Sequence, residues 1–328
     1  MDITIGTIGS HSALQILHGA KLEGFKTLLI TTPNRVKVYK SFKVADEIIV
    51  VESFKEILDI EDDLIERNVI LIPHGSFVEY IGEENIKRLK VPIFGSKEVL
   101  EWEGSREKMN KWLKEARLRV PKTYDAGEVV EDLAIFKFPG AKGGRGYKLL
   151  PRGTKIESAP EDGVVQEYIM GVPMYFHYFY SLVNEELEIM SIDRRYETNV
   201  DAISRIPAPF QDRTVANVSY VVVGNIPVVV RESLLPEIFD AGERVVEASW
   251  RLMKKGLYGP FCLEAAITPD MEIIFFEIST RIVAGTNLYV NGSPYTWIRY
   301  NKPVSTGRRI AMEIKDAILR GVLDEVLS

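Results

Sequence analysis

Short apolar runs of strand length, separated by glycine- and proline-marked turns, alternate with stretches of 3.6-residue periodicity along the chain. Asp2–Ile8, Thr27–Thr31, Glu47–Val51 and Val69–Ile72 read as strands, with helical patterns between them. After the first strand comes Gly6-Thr7-Ile8-Gly9-Ser10-His11-Ser12 and then a helix from Ala13, for which Ser12 and Gln15 form a candidate capping box. Strand, glycine turn, helix is the opening of a doubly wound α/β domain. His11 and Ser76 both fall just past strand ends, where open α/β sheets bind ligands; a plain turn histidine and serine is the alternative. Helices are expected over Ser105–Ala116, Ser233–Lys254 with Gly256 as its cap, and Ser305–Leu319.

The stretch Gly259–Arg281 reads as a hairpin, with Phe261–Ile267 and Ile273–Ile278 flanking Thr268-Pro269-Asp270. Each run carries one acid, Glu264 and Glu277, and Arg281 follows four residues later. Lone carboxylates in apolar strands are costly to bury unless paired. Two on adjacent strands can converge on a Mg²⁺ ion beside a triphosphate; two solvated edge glutamates are the other reading. Lys137 interrupts the short strand Ala134–Phe138 and calls for an anionic partner or an exposed face. The loop Pro139–Tyr147, with four glycines, Lys142 and Arg145, is suited to approach phosphate oxygens, although GxxxxGK[ST] is absent. Arg106, Lys108 and Lys111, and the cluster Asp193-Arg194-Arg195-Tyr196-Glu197, read by default as solvated charge.

Composition narrows the class. The 328 residues are 46% hydrophobic and 27% charged, an ordinary globular balance with room for two or three domains. A net charge of −6 argues against general nucleic-acid binding. One cysteine, Cys262, excludes a disulfide framework or a cysteine metal site, and a reducing cytoplasm is expected. Neither a signal peptide nor an apolar run of bilayer length is present, so no membrane partner is expected.

The order of these features, a strand lysine, a glycine loop, a Gln-Glu exit strand, then paired glutamates and an arginine, resembles the ATP-grasp superfamily. PGAKGGRGY, VQEYIMGVPMYFHYFY, MSIDRRYETNVDAISRIPA, GNIPVVVRESLLPE, GPFCLEA, FEISTRIVAGTN and VNGSPYTWIRY closely resemble the archaeal PurP family, as do TIGSHSALQIL and PHGSFVEYIG near the N-terminus. The resemblance spans almost the whole chain. It implies an N-terminal doubly wound α/β (pre-ATP-grasp) domain over 1–98, followed by an ATP-grasp fold over 99–328. The latter would comprise a smaller ATP-covering lobe over about 105–168 and a larger metal-binding lobe over about 169–328.

The activity implied is formate-dependent ligation. ATP activates formate as formyl phosphate, and the amine of aminoimidazole-carboxamide ribonucleotide (AICAR) attacks it, giving the formamido product (FAICAR) late in purine biosynthesis. By the same resemblance, Glu264 and Glu277 match the ligands of Mg²⁺ or Mn²⁺. Lys108, Lys137, Lys142, Gly143, Gly144, Arg145 and Gly146 fall where ATP phosphates are held. Gln166, Glu167 and Tyr168 match the adenine hinge, and Glu197 a nucleotide-binding glutamate. His11, Ser76 and Asn225 match substrate contacts, and Arg281 is assigned to the transferring phosphoryl group. Ser279 stands where the wider superfamily has an asparagine beside the metal. A trimer or hexamer is implied. Other readings are a ligase acting on another ribonucleotide and a non-catalytic nucleotide-binding paralogue; the intact acid pair weighs against the latter.

Overall fold

The computed structural model describes residues 3–137, 147–157, 163–211 and 221–328, without the side chains at 199, 200, 202, 208 and 210. The described residues form three sheets. The first joins β1 (Thr4–Ile8), β2 (Lys26–Thr31), β3 (Glu47–Val50) and β4 (Val69–Leu71) in the order β3-β2-β1-β4, with every neighbour parallel. All five residues of β1 are buried, as a central parallel strand covered on both faces requires. The second sheet is small and antiparallel, with β5 (Ala134–Lys137) between β6 (Tyr147–Leu150) and β7 (Val164–Glu167). The third joins β8 (Val172–Ser181), β9 (Glu186–Glu197), β10 (Val222–Pro227), β11 (Gly259–Ile267) and β12 (Ile273–Ser279) in the antiparallel order β10-β9-β8-β11-β12.

Strand alternation divides the third sheet into two faces. Ile192, Phe176, Leu263 and Ile278 lie side by side across four strands and belong to one apolar core. The helix Leu235–Leu252 covers that face with Ile238, Ala241, Val245 and Val246, an i, i+3, i+7, i+8 stripe. Moving one residue along each strand exposes the opposite face, where Asp193, Tyr175, Glu264 and Glu277 form one row and Ser191, His177, Cys262 and Ser279 the next.

The C-terminal helix Thr306–Arg320 joins the first sheet to the third. Its buried Arg309 meets Glu188 of β9 and Glu313 at 2.9 Å each, and the guanidinium lies 4.2 Å from the centroid of the Phe179 ring. The same helix packs backbone to backbone on the helix Ala13–Leu22. A Cβ on Gly19 would lie 2.2 Å from the Arg308 nitrogen, and one on Gly307 would lie 2.4 Å from the Gln15 carbonyl. Ile310 and Ile314 share a core with Ile5, Ile16 and Ile70. The chain's last residues return to the first sheet, where Ile93 and Ser328 exchange backbone hydrogen bonds at 3.0 and 2.9 Å. No described helix is long and apolar enough to cross a membrane.

Two local expectations change. Ser12 makes no side-chain cap bond. Gln15 instead reaches Thr286, Asn287 and the Gly307 amide at 2.9–3.0 Å, because burial beside two distant segments gives it better partners than its own helix end. Gly256 is not the helix cap: the helix ends at Leu252 with an extended Met253, and Gly256 is glycine-sized because the Trp250 ring lies 2.4 Å from where a Cβ would be. Gly224-Asn225-Ile226-Pro227 make up most of β10.

Gly19→Ala tests the helix crossing. The added methyl improves helix propensity by about 1 kcal/mol. It also meets backbone that cannot rotate away, and overpacking of this kind costs about 1–3 kcal/mol. A lower melting temperature is expected in thermal denaturation, and an unchanged or raised one would show that the helices can separate at no cost.

Candidate active site

The hairpin β11–β12 turns through Thr268-Pro269-Asp270-Met271, with Met271 at φ +67° and the Thr268 amide bonded to the Glu272 carbonyl at 3.0 Å. In this register Glu264 and Glu277 are direct cross-strand partners, so their carboxylates stand on the same face. A bulge follows at once: Ala265 pairs with Phe275, leaving Phe276 as the extra residue. The Lys137 ammonium lies 5.1 Å from the centroid of the Phe276 ring, which brings β5 of the small sheet over the acids.

Three cations converge on the pair from three segments. Arg195 of β9 donates to Glu264 at 2.5 Å and stacks 3.8 Å from the Tyr175 ring centroid. Arg106, in the first turn of the helix Arg106–Glu115, meets Glu277 at 3.4 Å and also contacts Tyr147 of β6. Lys137 is buried, and its ammonium pKa is lowered by desolvation although both glutamates act to raise it. Ser279 donates its hydroxyl proton to Glu264 at 3.3 Å. Burial raises the Glu264 pKa, opposed by Arg195 and reinforced by Glu277. For Glu277 burial acts the same way, but Arg106, Lys137 and Arg195 outweigh it and the pKa is lowered. The surrounding cations thus favour the ionised form of Glu277, while burial disfavours that of Glu264.

Across the cleft stands the carboxyl-end rim of the first sheet. His11 (φ +49°) stacks on His74 at 5.9 Å with planes 8° apart. His74 is fully buried; its Nε2–H donates to the Ile8 carbonyl at 2.9 Å and its Nδ1 accepts the Ser76 amide at 3.3 Å, which defines a neutral tautomer. Desolvation drives its pKa to about 3. His11 has an exposed edge, yet desolvation in the cleft and then the Arg281 and Arg195 guanidiniums lower it to about 4, so it too is neutral near pH 7. Ser76 accepts the Ser10 hydroxyl at 3.2 Å. Arg35, which the sequence reading did not single out, donates to the Gly9 carbonyl at 2.8 Å and to Tyr80 at 3.2 Å.

This rim is stitched to the hairpin. His74 forms a parallel bridge with Ile282, next to Arg281, and Asn287 donates to the His11 carbonyl at 3.1 Å. Arg281 pairs with Glu103 at 2.5 Å, while its buried Nε has no partner among the described residues.

The anticipated residues distribute as follows. Glu264, Glu277 and Lys137 come together, with Arg281 and His11 facing the same cleft. Glu197 ends β9 and Asn225 lies on β10, both partly exposed. Gln166 and Glu167 end β7, and the Tyr168 amide bonds to Leu133 at 2.9 Å. Lys108 is directed to Glu101 at 2.6 Å and to the Trp102 ring, and it is the neighbouring Arg106 that reaches the acids. Lys142, Gly143, Gly144, Arg145 and Gly146 lie outside the described residues. Arg195 and Asp193 are not a solvated cluster: β9 continues through them, and Asp193 is 1% exposed. Alternation along a longer strand, with 193, 195 and 197 on one face, is the signal that would have found them.

Comparison with known proteins fits this arrangement. Two family models match: "Protein of unknown function (DUF1246)" over residues 5–124 and "Domain of unknown function (DUF1297)" over residues 146–328. An N5-carboxyaminoimidazole synthetase from Staphylococcus aureus, solved with ADP, superposes at a TM-score of 0.62 with 16% identity, covering 88% of this chain and 73% of that one. That likeness is one of fold. The IMP biosynthesis protein PurP of Thermococcus kodakaraensis superposes at 0.80 with 33% identity over 99% of this chain and 100% of that one. The 5-formaminoimidazole-4-carboxamide-1-(beta)-D-ribofuranosyl 5'-monophosphate synthetase of Pyrococcus horikoshii is 51% identical over 99% of this chain and 100% of its own length. The chain belongs to this synthetase family, the PurP family.

Glu197 gives a pH test of the cleft. Desolvation, with Asp201 and Glu264 adding to it against Arg195 and Arg194, moves its carboxyl pKa from 4.5 to about 7. A side-chain carboxyl titrating near 7 is expected by ¹³C NMR of the ligand-free protein and should vanish in Glu197→Gln. With the folded value above the unfolded one, the native state holds the extra proton, and this group's contribution to stability falls as pH rises from 4.5 through 7. A spectrum with no carboxyl titrating near neutrality contradicts the assignment.

Proposed function

We propose that the chain is an ATP- and formate-dependent carbon–nitrogen ligase that converts AICAR to FAICAR in IMP biosynthesis. One observation carries this reading. The acid pair with its three cations lies close to the His11–His74–Ser76 rim: Arg195, which binds Glu264, and Arg281 both act electrostatically on His11, and the His74–Ile282 bridge joins the two beside Arg281. A simple ATPase has no use for the second rim. The name of the P. horikoshii relative gives the product, the formamido ribonucleotide, and so supports this reading.

In this reading Lys108, Lys137 and the loop bearing Lys142, Gly143, Gly144, Arg145 and Gly146 hold the ATP phosphates. Gln166, Glu167, Tyr168 and Glu197 hold the nucleoside. Glu264 and Glu277 fit Mg²⁺ or Mn²⁺, since two facing carboxylates offer hard oxygen donors at one point. Bound there, the metal would supply positive charge to offset that of the nucleotide phosphates. A formate oxygen attacks the γ-phosphorus and ADP leaves; the AICAR amine then attacks the formyl carbon, loses a proton, and phosphate departs. Arg281 offers its guanidinium to the phosphoryl oxygens during transfer. Neutral His11, with Ser76 and Asn225, positions the ribonucleotide without adding charge. Assembly into a trimer or hexamer in a reducing cytoplasm completes the reading. Exposed Val223 on β10, Val229 just after it and Ile298, at 63%, 63% and 82%, support association, and the buried free thiol of Cys262 supports the compartment.

ADP release that requires both formate and AICAR, in a single-turnover assay with Mg²⁺-ATP, tests the activity; release that ignores either co-substrate rejects it. Glu277→Gln should reduce turnover by at least about 10³-fold while the melting curve keeps its cooperativity, and near-normal turnover would reject the metal assignment. His11→Ala should raise the KM for AICAR at least about tenfold and that for ATP less than about twofold. Equal effects on both would remove His11 from the ribonucleotide side.

A further inference from the structure

On the polar face of the third sheet lies a buried hydrogen-bonded set. Asp193 is 1% exposed and His177 2%. His177 Nε2 meets Asp193 Oδ1 at 2.5 Å, and Asn225 Nδ2 donates to Asp193 Oδ2 at 2.7 Å. A Cβ on Gly285 would lie 2.0 Å from Asp193 Oδ1, so the 284–289 segment covers the carboxylate with bare backbone. That segment is the one that binds Gln15 and the His11 carbonyl. His177 Nδ1 is buried and has no partner among the described residues, which leaves Asp193 as the polar contact that fixes the ring.

A carboxylate accepts hydrogen bonds and donates none. Asn225 must therefore turn its Nδ2 inward, and because the amide is planar, fixing the nitrogen also fixes the oxygen. Asn225 is partly exposed and is the register partner of Arg195, whose side chain reaches Glu264, so its outward atom faces the cleft. That atom is Oδ1, an acceptor. Without Asp193 the amide could turn either way round and would offer a donor as readily.

We propose that Asp193, oriented by His177, is a positioning residue that locks Asn225 with its carbonyl toward the cleft. Asn225 thereby selects a ribonucleotide that presents an N–H or O–H donor at that point and rejects one that presents an acceptor. The inference rests on the reading that Asn225 contacts the ribonucleotide.

A role exchange tests it. In Asp193→Asn the lock is reversed, because an amide at position 193 that accepts from His177 with its oxygen presents its nitrogen to Asn225, which turns its own oxygen inward and a donor toward the cleft. In Asn225→Asp two carboxylates face each other. Combining the two substitutions restores the pattern with the partners reversed: the amide at position 193 still accepts from His177 and now donates to the carboxylate at position 225, which again shows an acceptor outward. Each single variant should raise the KM for AICAR about tenfold or more, with the KM for ATP within about twofold, and the double variant should return to within about threefold of the unaltered protein. A double variant no better than the weaker single, or singles that move both KM values equally, overturns the lock. Should Asp193→Asn fail to fold, Asn225→Asp at the partly exposed end reads the same lock, and an unchanged AICAR KM there overturns it. Turnover of AICAR by the unaltered protein separates the two levels: its absence rejects the functional reading, whereas normal turnover without rescue rejects the lock alone.

Discussion

Two carboxylates at one register position of an antiparallel hairpin cannot be buried together unless positive charge comes from outside the hairpin. Strand geometry sets the buried Glu264 against Glu277, whose side chain is 28% exposed, and the protein around them removes much of the water that would otherwise screen the pair. The cations must then come from segments far away in the chain: Arg195 from β9, Arg106 from a helix start and Lys137 from the small sheet. Each approach dictates an architectural feature. β9 has to run on to residue 197, the helix start has to point at β12, and the small sheet has to lie over the bulge at Phe276. The cleft is the consequence of neutralising that pair.

A second constraint sets the opposite wall. The first sheet is held to the rest by polar bonds as well as packing, and the buried Gln15 is central to them because its amide uses both ends, donating to Thr286 and Asn287 and accepting from Gly307. Gly19 and Gly307 allow the helix backbones to touch, which brings the rim carrying His11 within reach of Arg281 and Arg195. These bonds leave the rim little freedom to drift, so the spacing between the two halves of the cleft is fixed by packing before any ligand binds.

Much of this was legible in the sequence where the signal is local. The hairpin showed as two apolar runs around Thr268-Pro269-Asp270, and the first parallel strands showed as short runs ending in turns. Lys137 stood out because a lysine in a short apolar strand needs an anion, and it faces two. What failed to show depends on non-local pairing. Arg195 looked solvated because nothing near it in sequence says that β10 will extend β9 past it. Gln15 fitted a capping box, but its partners lie more than 270 residues away. Gly256 fitted a helix cap, but it answers to the face of Trp250. Arg106 and Lys108 are two positions apart on one helix, and only the packing of that helix on β12 decides which of them meets Glu277.

The charge balance of the site also constrains how its ligands enter. Two carboxylates already face three cations, so the bare cleft carries a positive excess where a divalent ion would have to bind. Arg195 and Arg106 would have to loosen their hold on Glu264 and Glu277 before either acid could turn to a metal, and a guanidinium released into a buried cleft needs a new anion. Phosphate oxygens provide that anion. Under the proposed function these residues would favour metal and triphosphate arriving as one complex over metal arriving alone. Arg195 and Arg106 act as internal counter-ions that keep both acids in place.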